Sequence, residues 1–231
     1  MIPFKDDVPT RTTPVITIGL IILNCLIFLY QLTLPVAEQK SMVYLFGVIP
    51  DKVLDLPLWS SRDLYNPAFS LISSMFLHGG WFHLAGNMLY LWIFGNNVED
   101  SMGHLRFIFF YLLSGLAAAA AQIYSAPDSA VPMIGASGAI SGVLGAYLIL
   151  HPFARVHTLI FIFFFIRVIE LPAIIVLTFW FLAQIVNSLA AGPGEAGVAW
   201  HAHIGGFITG FVLIRFFQKT SRRGQGRYWW A

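Results

Sequence analysis

Charge is scarce in this sequence. Only 10% of its 231 residues are Asp, Glu, Lys or Arg, against about a quarter in ordinary soluble domains. A water-soluble fold of this length could not hide the 58% that are hydrophobic, and the mean hydropathy of +0.75 agrees. A soluble domain is excluded, and the chain reads as an integral membrane protein spanned by helices. Excess of one sign is missing too. The formal net charge is +2, and no basic stripe interleaves with aromatics, so nucleic-acid binding has no support. Cysteine is nearly absent. The single Cys25 can form no internal disulfide, and no CxxC or Cys/His spacing offers a zinc site. The absence of an HExxH helix excludes that metalloprotease chemistry. The opening MIPFKDDVPTRTTP is polar for too long to be expected as a cleavable signal peptide.

What is present is apolar, aromatic and glycine-rich. Sixteen per cent aromatics and 20 glycines suit packed membrane helices. Six apolar segments can be drawn, at about Val15–Leu34, Trp81–Gly95, Leu105–Tyr124, Gly135–Leu150, Leu171–Ala190 and Ala199–Phe217. Several are shorter than the roughly 20 residues a lone span needs, which suggests helices inside a bundle or beside a wet cavity. Residues 35–80 are broken by Pro35, Pro50, Pro57 and Pro67 yet carry Trp59, Tyr65 and Phe69. They predict a first loop lying partly in the membrane. Residues 158–166 (TLIFIFFFI) are expected to extend the fourth helix or to lie in the interface. Three regions follow: a short cytoplasmic segment over 1–13, a membrane domain over 14–218 and a basic, aromatic tail over 219–231.

Orientation follows from lysine and arginine. With six spans, Lys5, Arg11, Arg106, Arg155, Arg167, Arg215, Lys219, Arg222, Arg223 and Arg227 share one side, while the other has only Lys40, Lys52 and Arg62. Both termini are therefore expected in the cytoplasm, and the plasma membrane is the expected location.

Polar residues converge at one depth. Ser137 starts the fourth segment and His203 lies near the start of the sixth. His83 and Asn87 occupy the first turns of the second. All three segments enter from the non-cytoplasmic side, and polar groups at such depth usually mark function. Ser137 shares a helix face with Gly138, Ser141, Gly142 and Gly145, and His203 shares one with Gly206 and Gly210. Such small-residue stripes let backbones approach closely. Packed together, they bring Ser137 within reach of His203, whereas His201 points roughly 200° away. A serine needs a base to become a nucleophile, and neutral His203 can act as one. The Ser137 amide and the side chains of His83 and Asn87 can donate to an oxyanion. No carboxylate lies at this depth, so a Ser–His dyad is expected.

These motifs resemble those of rhomboid proteases, in order and across nearly the whole chain. Gly135-Ala136-Ser137-Gly138 matches the family's GxSG, and His83-Leu84-Ala85-Gly86-Asn87 its HxxxN. Ala202-His203 with Gly206 and Gly210 matches its AH…GxxxG. Phe94-Gly95-Asn96-Asn97-Val98-Glu99 with Gly103 resembles its turn after the second helix. The resemblance implies an all-α, six-transmembrane-helix rhomboid-like bundle that cleaves single-pass membrane proteins near the outer face. Substrate is expected to enter past the fifth helix and the loop before the sixth. No metal or organic cofactor is implied. Two positions depart from the pattern. Phe69-Ser70 stands where many rhomboids have Trp-Arg, and Ser141 where many have an aromatic stacked on the catalytic imidazole. They leave open what supports the first loop and what orients the His203 ring.

The same residues also have blander readings. Gly135–Gly145 could be a mere packing face, and His83 and Asn87 mere helix-start polar groups. Three helices with polar groups at one depth favour the site. His78 and His201 read as structural or interfacial, Glu99 and Arg106 as fixing the turn between the second and third segments, and Arg222–Trp230 as an interface anchor. An inactive client-binding relative is the alternative, although such relatives typically lose the serine or the histidine. A channel or transporter is disfavoured because little polarity lies at the bilayer midplane.

Overall fold

The computed structural model describes residues 2–55, 65–162, 165–190 and 198–219. Trp59 and Arg62, most of the loop before the last helix, and Arg222–Trp230 lie outside them.

The fold is mostly helical, and the apolar runs set its helix boundaries. Strand β1 (Ile2–Asp6) precedes α1 (Val15–Thr33), α2 (Val36–Phe46) and α3 (Pro50–Asp55). Then come α4 (Pro67–Ser73), a 3₁₀ turn (Ser74–Phe76) and α5 (Trp81–Tyr90). A π-helical stretch, Leu91–Gly95, carries α5 directly into α6 (Asn96–Met102), so the second apolar segment runs on into a polar extension. Next follow α7 (His104–Ser125), α8 (Ser137–Leu150), α9 (Ala173–Ala190) and α10 (Trp200–Phe217). Among the described residues, α1, α7 and α9 are each long and apolar enough to cross a membrane. The core gathers Leu91, Phe94, Phe107, Tyr111, Leu144 and Tyr147, all fully buried.

One expectation is corrected. The chain is mostly helical but also carries a sheet, and residues 158–162 and 165–166 do not extend α8. They belong to a hairpin of β2 (Arg155–Ile162) and β3 (Phe165–Pro172), which β1 extends into a three-stranded antiparallel sheet in the order β1-β2-β3. Val156, Thr158, Ile160 and Val168 favour extended backbone, and Val156 and Thr158 alternate as buried residues with half-exposed neighbours. Pro3, which cannot donate to a ladder, sits on the edge strand, where the register slips between Pro3 and Lys5.

The N-terminal segment is tied down rather than loose. Asp6, buried, accepts from Asn97 Nδ2 (2.6 Å) and from the Tyr147 hydroxyl (2.5 Å). Asp100 accepts from the amides of Arg11 and Thr12 and from the Thr12 hydroxyl. Glu99 does more than fix a turn. It receives the otherwise unpaired amides of Ile16 and Thr17 at the start of α1 (2.9 and 2.8 Å), the Thr17 hydroxyl, and His104 at the start of α7. Arg106 donates instead to the Phe217 carbonyl at the end of α10 (3.3 Å).

The described parts of the first loop are largely helical, and they hold the segment that leads to Ser137. Val48 and Met133 exchange both backbone hydrogen bonds, and the Gly135 amide donates to the Ser74 carbonyl (2.8 Å). Ser70, where the Arg of the family pattern is missing, is buried. Its hydroxyl bonds the Pro67 carbonyl and the Tyr65 hydroxyl, which in turn accepts from the Ile49 amide. Phe69 is exposed and meets Phe46 edge-on. From α1, the buried Gln31 amide clamps both backbone groups of His78.

Candidate active site

The site forms where α5, α8, α9 and α10 face one cavity of about 470 Å³. Its geometry begins with backbone proximity between α8 and α10. A Cβ on Gly206 would run into the Gly138 carbonyl, one on Gly210 into the Gly142 carbonyl, and one on Gly145 into the Phe207 carbonyl. Only glycine permits this approach, so the stripes expected to pack do so. Gly142 and Gly138 also meet α7, at Ser114 and Ala118.

Ser137 thereby faces His203 across the helix contact. His203 Nε2 lies 2.8 Å from Ser137 Oγ. His203 is buried, whereas His201 is exposed and takes no part. The ring is held on its far side as well. Nδ1 lies 2.8 Å from Gln184 Oε1 on α9. Trp180, one turn earlier on α9, lies tilted beside the imidazole at 5.9 Å between centroids, and Trp200 meets it edge-on at 6.1 Å. Position 141 supplies no aromatic. The Ser141 hydroxyl turns back to the Ser137 carbonyl instead (2.6 Å).

His83 and Asn87 lie on the α5 wall beside Gly135. Gly135 has φ of 123°, a conformation L-residues with a side chain rarely adopt. A Cβ there would sit 2.6 Å from His83 Nε2 and 3.7 Å from Asn87 Nδ2. His83 Nδ1 accepts, at 3.4 Å, from the Gly79 amide, an arrangement that leaves the ring proton on Nε2, toward Gly135. Asn87 Nδ2 is buried and has no hydrogen-bond partner among the described residues. Two side-chain donors thus flank the residue two before Ser137, whose own amide lies in the first turn of α8. His78 is buried with its ring edge-on to His83 at 5.1 Å, and neither of its ring nitrogens has a hydrogen-bond partner among the described residues.

Ser137, His203, His83 and Asn87, with Gly135 and Gly138, therefore line one cavity, and Gly142, Gly206 and Gly210 lie in the helix contact behind it. Two residues at the site were not foreseen, Gln184 and Trp180. The available signal was an amide, one of two with Asn187, in an apolar helix with an indole four residues earlier on the same face.

The family model for the Rhomboid domain matches residues 65–220, which is most of the chain and contains all of these residues. The chain belongs to the rhomboid family. Among its relatives, Rhomboid protein 1, mitochondrial, of Saccharomyces cerevisiae is 28% identical over 173 residues, 72% of this chain and 46% of that protein. Rhomboid protease GluP of Bacillus subtilis is 35% identical over 141 residues, 61% of this chain and 24% of that protein. Rhomboid protease AarA of Providencia stuartii is 30% identical over 224 residues, 86% of this chain and 70% of that protein. The chain spans less than half the length of the yeast and Bacillus relatives. Its rhomboid domain and apolar helices make it an integral membrane protein.

Proposed function

We propose that this rhomboid is an intramembrane serine endopeptidase that cleaves single-pass transmembrane proteins near the outer face of the membrane. Ser137 is its nucleophile and His203 its base. The observation that carries this reading is the 2.8 Å contact between Ser137 Oγ and His203 Nε2 in a cavity also lined by Asn87, whose buried Nδ2 has no partner among the described residues. The reading includes six spans, α1, α5, α7, α8, α9 and α10, with both termini in the cytoplasm of a cell membrane and the membrane domain over 14–218. The sheet then lies on the cytoplasmic side, opposite the catalytic cavity.

Ser137 Oγ attacks the scissile carbonyl while its proton passes to His203 Nε2. The oxyanion forms beside the Ser137 amide, His83 Nε2–H and Asn87 Nδ2–H, donors set in place before charge develops. Collapse expels the amine, which takes the proton from His203 and leaves an acyl-enzyme on Ser137. Water, deprotonated by the same imidazole, then releases the new carboxylate. The small residues along α8 and α10 act by bringing the two groups together. No cofactor takes part in these steps.

The test is covalent labelling of the purified protein by a fluorophosphonate. Labelling is expected in the wild type, absent in Ser137→Ala and His203→Ala, and retained in His201→Ala. Labelling unchanged by Ser137→Ala would refute the assignment.

A further inference from the structure

A histidine accepts a serine proton only if the nitrogen facing the serine is the unprotonated one. Neutral imidazole carries one proton, and something must keep it on the other nitrogen. In triads a carboxylate does so, but no carboxylate contacts His203 among the described residues. The group that does is Gln184.

The amide of Gln184 has two ends, and its surroundings decide which end meets the ring. Gln184 Nε2 donates to the Trp180 carbonyl, one turn back along α9, at 3.0 Å. Reversing the amide would set its oxygen against that carbonyl oxygen, two acceptors with no proton between them. Oε1 therefore faces His203 Nδ1, at 2.8 Å. An amide oxygen only accepts, so Nδ1 must carry the proton. Nε2 is left with its lone pair, 2.8 Å from Ser137 Oγ. Gln184 is 6% exposed and His203 8%, so little water competes for either bond, and a buried bond of this kind orients strongly.

We propose that Gln184 is the positioning residue of the catalytic base: through the Trp180 carbonyl and His203 Nδ1 it locks the imidazole in the tautomer able to deprotonate Ser137. The proposal rests on the Ser137–His203 reading. The same bond stays in place when Nε2 gains the serine proton, because Nδ1–H is a donor in both forms. Gln184 opposes the new positive charge with a dipole rather than a full negative charge. Trp180 comes from the same face of the same helix and limits the tilt of the ring. The orientation lacking at Ser141 is thus supplied by α9.

The experiment compares the wild type with Gln184→Met, which keeps length and shape but removes the oxygen, and Gln184→Glu, which keeps an acceptor. The probe is a fluorophosphonate on the full chain in detergent. In Gln184→Met the maximal labelling rate is expected to fall about ten- to hundredfold, the worth of one hydrogen bond to a group that becomes charged. The half-saturating probe concentration should stay unchanged, and Gln184→Glu should restore most of the rate. Ring-nitrogen ¹⁵N spectra, with His203 identified by its loss in His203→Ala, should show Nδ1 protonated and Nε2 bare in the wild type. Gln184→Met should show a tautomer mixture. Labelling of Gln184→Met at the wild-type rate, or a wild-type spectrum with the proton on Nε2, would overturn the proposal. If Gln184→Met does not fold, the wild-type spectrum decides alone. Failure of the wild type to label at Ser137 would instead remove the dyad reading, and the spectrum would still report on Gln184.

Discussion

Position 135 shows how much one residue can carry. Its φ of 123° and the 2.6 Å between a would-be Cβ and His83 Nε2 act together. Gly135→Ala must either strain the backbone or push the imidazole away from where the oxyanion forms. We expect a folded protein whose fluorophosphonate labelling falls sharply; wild-type labelling would show that His83 is not needed at that point. Asn87 makes a milder case, because the Ser137 amide remains. Asn87→Ala should lower the turnover of a membrane-anchored reporter by about 10²- to 10³-fold, the usual cost of one oxyanion donor, with less effect than Ser137→Ala. Turnover within twofold or so of wild type would remove Asn87 from the mechanism. At this scale the sequence was informative where spacing encodes chemistry. Ser137, His203, His83 and Asn87 each sit in a motif, and helical phase separated His203 from the exposed His201. Gln184 has no such spacing. Its partners are the Trp180 carbonyl and a ring nitrogen on another helix, and neither leaves a trace in composition or period.

Among the elements, α8 and α10 form the contact on which the geometry depends. A Cβ on Gly210 would strike the backbone carbonyl of Gly142, an atom that cannot swing aside as a flexible side chain can. Gly210→Ala should therefore separate the helices and cost about 1–3 kcal/mol, the range for overpacking. Gly19 on α1 has no atom of the described residues within 4 Å of the same addition. Gly19→Ala should be neutral or slightly stabilising, since alanine favours helix. Thermal unfolding in one detergent compares the two directly, and equal midpoints would show that the close approach is not holding the bundle. The boundaries of α1, α7, α8, α9 and α10 were legible to within a residue or two because each apolar run ends at a polar, proline or glycine signal. The hairpin of β2 and β3 was not. A short apolar run cannot be assigned to helix or strand by period alone, and its second partner, β1, lies at the other end of the chain.

Across the whole molecule, the N-terminal segment is bound to the end of α6 through side chains that change charge with pH. Asp100 is the accessible one. Its partial burial pushes the carboxyl upward. Hydrogen bonds from the Thr12 hydroxyl and the Arg11 and Thr12 amides, with the Arg11 charge, outweigh that, and the net direction is down. A carboxyl held below its unfolded value stabilises the folded state once ionised. The contribution is fully present above the ordinary aspartate value of about 3.9 and disappears as pH falls through the lower folded-state value. Asp100 is largely solvated, so its share of the stability is modest. Its loss should instead be seen as local release of residues 11–12, while Glu99 goes on holding the amides at the start of α1. Hydrogen exchange at Arg11 and Thr12 should therefore rise relative to the α8 core as pH is taken below the aspartate range, after correction for intrinsic exchange. In Asp100→Ala it should already be high at neutral pH and no longer respond. An acid response that persists in Asp100→Ala would assign the tether to another carboxylate of this region, with Asp6, bonded to Asn97 and Tyr147, the next to test.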